Sequence, residues 1–167
     1  MSQWQPNFEQ LLVTNQSMVF GLALHFLRDR TAAEEIAQDV FLALHKHLHS
    51  VTCEEHVRFW LRRVTVQRCI DHARRSPMVS VALDEAHEIG IDPPENDVFL
   101  RERLRKMIGG LAPAARAVML LRYQEDLAPP EIAATLSMPL ATVKSHLQRS
   151  LMQLREKMSP RGSAVNG

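Results

Sequence analysis

The spacing of apolar residues along the chain is the feature that most restricts its fold. Over about five turns, one stripe is formed by Phe8, Leu11, Leu12, Val19, Leu22 and Phe26. A second stripe comprises Ile36, Ala37, Val40, Phe41, Leu44 and Leu48. A third helix opens with Val57, Trp60, Leu61 and Val64 and continues to about Arg75. This is the period of a helix with one buried face, and strand-like alternation is absent, so the sequence predicts an all-α protein.

Breaks and charge divide the chain into two helical halves. Ser76-Pro77 ends the third helix, because the residue before a proline disfavours helical backbone. Residues 77–100 hold six acidic side chains and no Lys or Arg, whereas residues 101–167 hold 11 basic and 5 acidic ones. We therefore expect two small helical domains, at residues 1–76 and 97–160, joined by an acidic linker at residues 77–96. A disordered tail is expected at residues 161–167. Earlier in the chain, Thr31 is predicted to cap the second helix, with Glu34 completing a capping box.

The second half contains the most specific local signal. Its helices are predicted at about 97–109, 114–123, 130–136 and 140–157. Ile132, Ala133 and Leu136 face inward on the third of these, Ser137 to Pro139 form a turn, and the last helix follows. Its predicted buried face is Val143, Leu147, Ser150, Leu151 and Leu154. Its predicted exposed face is Lys144, Ser145, Gln148, Arg149, Met152 and Arg155. This pattern indicates a DNA-binding helix-turn-helix, with a merely solvated amphipathic helix as the alternative.

Composition excludes several other classes of protein. The sequence contains neither a P-loop nor a dinucleotide-binding glycine motif, and no nucleophile–base pair, so we expect no enzymatic activity, cofactor or small-molecule substrate. The N-terminal residues lack the pattern of a signal peptide and no apolar run is long enough to cross a bilayer. Two cysteines, Cys53 and Cys69, make no disulfide framework, which favours the cytoplasm. The cluster His45, His47, His49, Cys53 and His56 leaves a zinc site as an alternative, although we expect no metal.

Three motifs resemble those of bacterial sigma factors. The resemblance to region 4 lies in Leu111-x-Pro113-x-x-Arg116-x-Val118-x-Leu120-Leu121-Arg122-Tyr123, in Glu131-Ile132-Ala133 and in Thr142-Val143-Lys144-Ser145. The resemblance to the polymerase-binding helix of region 2 lies in Ala33-Glu34-Glu35-Ile36-Ala37-Gln38-Asp39-Val40-Phe41-Leu42. The resemblance to the helix that recognises the −10 element lies in Trp60-Leu61-Arg62-Arg63-Val64 and in Ile70-Asp71-His72-Ala73-Arg74-Arg75. Their order and spacing over about residues 8–158 resemble the small two-domain extracytoplasmic-function (ECF) type.

This resemblance implies a promoter-specificity subunit of RNA polymerase, with core polymerase, promoter DNA and an anti-sigma factor as partners. The residues implied in binding core polymerase are Glu35, Gln38, Asp39 and Leu42. Those implied at the −10 element are Phe59, Arg62, Arg63, Gln67 and Arg74, and the loop from His47 to His56 would capture an extruded base. Those implied at the −35 element are Thr142, Lys144, Ser145, Gln148 and Arg149.

Some positions depart from the family pattern, and one other class shares part of it. Gln67 stands where Asn is usual, Arg68 where an apolar residue is usual, and Ser137 and Ala141 where Gly is usual. His146 replaces a usual Arg. Arg68 is expected near the core or at its rim, so that either the helix is locally rotated or the side chain extends outward to water. Trp60 is expected in the core, with a platform for a base as its alternative. The alternative function is a response-regulator-type helix-turn-helix transcription factor, which would require a receiver domain. An inhibitory helical protein that binds sigma-like partners is a further alternative.

Overall fold

The computed structural model describes residues 4–75 and 95–159, which belong to two compact units, Met1–Glu88 and Ile89–Gly167. The first unit contains α1 (Phe8–Leu27), α2 (Arg30–His47), a short 3-10 turn (Leu48–Ser50) and α3 (Glu54–Arg75). The second contains α4 (Glu95–Gly109), α5 (Pro113–Tyr123), α6 (Pro129–Leu136) and α7 (Leu140–Met158). The described residues include no strand, and the prediction of an all-α fold with two helical domains is confirmed.

The core of the first unit follows the three predicted stripes. The three helices pack against one another, and each contributes fully or nearly fully buried side chains. These are Leu11, Val19, Leu22, Phe26, Ile36, Val40, Phe41, Leu44, Val57, Leu61, Val66 and Cys69. The buried line on α3 runs through positions four residues apart and includes Thr65, a polar residue that the apolar pattern did not indicate.

The turn between α1 and α2 corrects the predicted helix start. Directly after α1, Arg28 has left-handed backbone with φ 56°, and its N–H donates to the Leu24 carbonyl. Asp29, not Thr31, caps α2, because its carboxylate accepts a hydrogen bond from the Ala32 N–H at 3.3 Å. Asp29 directly precedes the first residue of α2, so its side chain is placed to accept from a free N–H of the first turn. Thr31 lies two residues later, inside the helix. The capping box with Glu34 is therefore wrong.

The second unit is built around α5, which packs against α4, α6 and α7. The C-terminal half of α4, α5 and α7 share a core of Met107, Leu111, Ala115, Met119 and Leu154. Partly buried Ile108, Leu147, Leu151 and Met158 pack against this core. α6 packs against α5 and α7. Prolines occupy the first helical positions of α5 and α6, where the missing N–H costs no hydrogen bond.

Arginine side chains tie the ends of α5 to the adjoining loops. Arg116 donates to the Leu111 carbonyl at 3.0 Å, and Arg122 donates to the Leu127 carbonyl at 3.1 Å. The second bond bridges the segment between α5 and α6, in which Asp126 has left-handed backbone at φ 55°. These bonds help to fix where α6, and therefore the following turn, begins.

The predicted linker and tail lie largely outside the description. Residues 77–94 of the linker, and the tail at 161–167, are not among the described residues. α4 begins at Glu95, two residues before the predicted start of the second domain. The other domain limits stay predictions. Within the described ranges no helix combines the length and hydropathy that a bilayer span needs.

Candidate nucleic-acid and protein interfaces

α6 and α7 form the predicted helix-turn-helix. α6 ends at Leu136, and Ser137 adopts left-handed backbone with φ 51° and ψ 48°. The Met138 N–H then donates to the Ala133 carbonyl at 3.0 Å, which satisfies a carbonyl at the helix end. α7 begins at Leu140 after Pro139. The three-residue turn thus lies where the sequence predicted it.

The two faces of α7 separate as predicted. Val143, Ser150 and Leu154 are buried, while Leu147 and Leu151 pack against the core of the unit. All six residues of the predicted outer face are exposed: Lys144, Ser145, Gln148, Arg149, Met152 and Arg155. This face therefore presents cations and hydrogen-bonding groups to solvent.

The predicted −35 contacts are exposed except for one. Lys144, Ser145, Gln148 and Arg149 are exposed, whereas Thr142 is half-buried. The exposed strip instead extends into the first turn of α7 through Leu140 and Ala141, neither of which is among the predicted contacts. Extrapolating the same helical period backward from Lys144 and Ser145 would have found Ala141.

The predicted −10 residues lie along α3 with graded exposure. Phe59, Arg62 and Arg63 are half-buried, and Gln67 and Arg74 are exposed. The half-buried arginines can pack their aliphatic stems on the protein while the guanidinium groups stay near water.

On α3, Arg68 and Trp60 both lie farther from the core than the apolar stripe predicted. Arg68 is exposed rather than near the core, because the buried line passes through Leu61, Thr65 and Cys69 and leaves position 68 outside. Trp60 is half-buried, with its ring centroid 5.7 Å from that of exposed His47. One end of α2 and one face of α3 thus place two aromatic rings at the surface next to the loop that follows His47.

The histidines and Cys53 do not assemble into a metal site. The His45 ring meets Phe8 edge-on at 5.0 Å, whereas His47 lies against Trp60. The His56 Nδ1 accepts a hydrogen bond from the Thr52 N–H at 3.3 Å. Across residues 4–75 and 95–159, no three His, Cys, Asp or Glu side chains are grouped so that they could hold a metal ion.

The predicted polymerase-binding residues lie on the exposed face of α2. Glu35, Gln38, Asp39 and Leu42 are all exposed, and Leu42 presents 57% of its surface to solvent. Beside Gln38 and Leu42, α1 and α2 enclose an open groove of about 620 Å³. Its apolar lining comprises Phe8, Leu12, Phe20, Ala37, Phe41 and Leu42.

Charged groups border the same groove. Arg30 and Glu34, which line it, form an ion pair with Nε and Oε1 3.2 Å apart. An apolar groove with a few polar groups at its edge suits side chains of a protein helix. The contribution of Leu12 and Phe20 from α1 was missed, because the predicted core stripe of α1 included Leu12 and left Phe20 out.

Comparisons with known proteins place both units in one family. The sequence model of sigma-70 region 2 matches residues 11–76, and that of sigma-70 region 4 matches residues 101–154. The chain is 27% identical over 154 residues to the RNA polymerase sigma-E factor of Streptomyces avermitilis, covering 92% of this chain and 86% of that protein. It is 28% identical over 149 residues to the ECF RNA polymerase sigma factor SigK of Mycolicibacterium vanbaalenii, covering 84% and 76%.

A solved structure shares the fold. The sigma factor RpoE of Bartonella quintana, determined in complex with the anti-sigma factor NepR, matches with a TM-score of 0.69 at 19% identity. The match covers 89% of this chain and 94% of that chain. Region 2 corresponds to α1–α3 and region 4 to α4–α7, in the order that the motifs indicated. The chain therefore belongs to the sigma-70 family of RNA polymerase sigma factors, with the two-region organisation of its ECF members.

Proposed function

We propose that this chain is a promoter-specificity subunit of bacterial RNA polymerase, which binds core polymerase and directs it to promoters through their −10 and −35 elements. The observation that carries the proposal is the presence of both sigma-70 regions on one chain. Such a subunit acts through binding alone, as a regulatory subunit and not a catalyst, so we assign it no reaction, cofactor or small-molecule substrate. Its work takes place in the cytoplasm, where the polymerase is.

The first unit supplies the polymerase interface. Glu35, Gln38 and Asp39 offer charged and amide groups beside the apolar groove between α1 and α2, and exposed Leu42 joins the two surfaces. We assign this face to the coiled coil of the polymerase largest subunit. Leu42 is continuous with the apolar lining of the groove, and a contiguous apolar patch, rather than a single exposed side chain, is typical of a protein-binding surface.

The −10 element is assigned to α3 and the loop before it. Arg62, Arg63 and Arg74 would bind phosphates, with Gln67 beside them, and half-buried Phe59 offers a ring on which an unpaired base can stack. The loop His47 to His56 would hold an extruded base. Extrusion costs a few kcal/mol, so the loop must recover that energy through contacts with the base.

The −35 element is assigned to α7. A helix of this kind lies in the major groove with its N-terminal residues at the base edges. Arg149 can make a bidentate contact to guanine, and Ser145 and Gln148 can bond base edges. Lys144 is assigned to a phosphate or a base edge. Thr142 contributes less surface, since it is half-buried.

Two further points follow from the comparisons. The Bartonella quintana relative was determined with an anti-sigma factor bound, and we propose that this chain too is held by such a partner. The response-regulator alternative loses its support, because the first half matches sigma-70 region 2 and is helical throughout residues 8–27, 30–47 and 54–75.

Reconstitution with core polymerase tests the proposal. The full chain is mixed with purified core, the complex is isolated by size exclusion, and transcription is measured on promoters selected from a genomic library. We expect a stable complex that initiates at specific sites, whereas the free chain binds the same DNA poorly. A chain with an intact helical spectrum that fails to bind core would refute the proposal, as would tight, sequence-specific DNA binding by the free chain.

A further inference from the structure

The exposed strip of α7 is centred on a residue that the predicted contacts leave out. At about 100° per residue, Ala141 lies about 20° from Gln148, 40° from Ser145 and 60° from Lys144 around the helix axis. All four are exposed. Thr142 lies about 100° from Ala141 and is half-buried. Ala141 therefore occupies the middle of the face that the proposed function turns toward DNA.

The start of α7 leaves this position unobstructed. Ala141 is the second residue of the helix, and Pro139 before it makes no side-chain hydrogen bond to the first turn. No capping side chain therefore lies over the first N–H groups, which are left to water or to a phosphate oxygen. Because N-terminal residues of a recognition helix contact base edges, the backbone here can come close enough for a side chain of one carbon to reach a base.

The side chain of alanine limits which base it can recognise. Its methyl group neither donates nor accepts a hydrogen bond, and the one apolar group on the major-groove edges of DNA is the C5-methyl of thymine. We infer that Ala141 is a specificity-determining residue that recognises a thymine of the −35 element by methyl–methyl contact, an inference that rests on the proposed role of α7.

A selection experiment locates the base pair. Holoenzyme assembled with the wild-type chain or with Ala141→Gly selects binding sites from a library with a randomised −35 element. We expect one position to be A·T or T·A in the wild-type sites and to lose that preference with Ala141→Gly. Ala112→Gly is the matched control, since it removes an exposed methyl beside the start of α5 and should leave every position unchanged.

A methyl deletion in the DNA then tests the contact itself. Each thymine of the selected element is replaced singly by deoxyuracil, which lacks the C5-methyl. At one position this should weaken wild-type binding about two- to fourfold, the effect of losing one buried methyl. The same replacement should have no effect with Ala141→Gly, because the partner methyl is already gone.

The outcomes separate this inference from the proposed function. If wild-type holoenzyme selects a defined −35 element, but no thymine methyl in that element is coupled to Ala141, the inference is wrong and the assignment of α7 stands. If wild-type holoenzyme selects no −35 element at all, the proposed function itself fails. Circular dichroism and thermal melting of Ala141→Gly check that the helix still forms.

Discussion

α2 and α7 have the same construction and opposite surfaces. Each is an amphipathic helix, of 18 and 19 residues, that buries an aliphatic stripe in the core of its own unit. The exposed middle of α2 is acidic, with Glu34, Glu35 and Asp39, and lies beside an apolar groove. The exposed face of α7 carries Lys144, Arg149, Arg155 and Lys157 against the single acid Glu156.

The difference lies in residues that contribute little to folding. The buried stripe determines that a helix forms and where it packs, and substitutions on the exposed face usually change stability by no more than about 0.5 kcal/mol. The exposed face can therefore be selected for its partner alone. An acidic face beside a groove suits a protein, and a basic face with amides and hydroxyls suits DNA.

Val143→Asp should have the largest effect, because it alters the stripe and not the face. Val143 is fully buried. Loss of its burial costs about 1.5–3 kcal/mol, and a buried polar group without a partner adds roughly 2–7 kcal/mol. Chemical denaturation should show the second unit unfolded. Ser145→Asp is the control: it places the same charge on the exposed face and should weaken DNA binding while the unit remains folded.

Arg149→Ala should test the face of α7. Loss of a bidentate base contact is expected to cost about 1–3 kcal/mol of binding and to relax one position of the −35 element. Lys144→Ala is the comparison: as a phosphate contact it should weaken all sequences alike and lower the salt slope by about 1. Binding of holoenzyme to single-base variants at two salt concentrations measures both. Unchanged preferences with Arg149→Ala would show that the register of α7 is wrong.

Asp39→Arg should test the face of α2. Reversing an exposed charge of an acidic surface sets a cation against the basic partner surface that such a face would attract, so we expect core affinity to fall about tenfold. The melting temperature should change little, since the position is exposed. Asp71→Arg is the matched control, because Asp71 is an exposed acid on α3 outside the assigned polymerase surface. Equal core affinity of the two variants would argue against the docking face.

Ser137→Gly should produce the smallest change and the opposite sign. Ser137 holds left-handed backbone at φ 51°, which strains a residue with a Cβ and not glycine. Allowing for the extra freedom of glycine when unfolded, we expect a gain of about 0.5–1 kcal/mol. Ser145→Gly, within α7, should instead destabilise by about 0.5 kcal/mol. Denaturant midpoints measure both, and destabilisation by Ser137→Gly would contradict the turn geometry.

Much of the fold could be predicted from the sequence, because it depends on local spacing. A helical period identifies a buried face wherever apolar residues keep to one side of the helix, as along α1, α2 and α7. Prolines and the Ser137–Pro139 turn mark ends through backbone geometry that acts within a few residues. For the same reason all six predicted outer residues of α7 are exposed. The sigma-factor motifs were recognisable because their order and spacing survive in the chain.

Where two local conformations or two sides of a helix were similar in free energy, only the tertiary structure decided between them. Asp29 and Thr31 can both cap a helix, and the path of α1 into α2 selects Asp29. On α3 apolar residues lie on more than one side of the helix, and Phe59, Trp60 and Val64 are only half-buried, so the period did not reveal that Thr65 is buried and Arg68 exposed. The groove between α1 and α2 needs both helices in place before Leu12 and Phe20 can face Leu42 across it. Local spacing therefore determined which segments are helical, and packing between helices determined which of their borderline residues are left for partners.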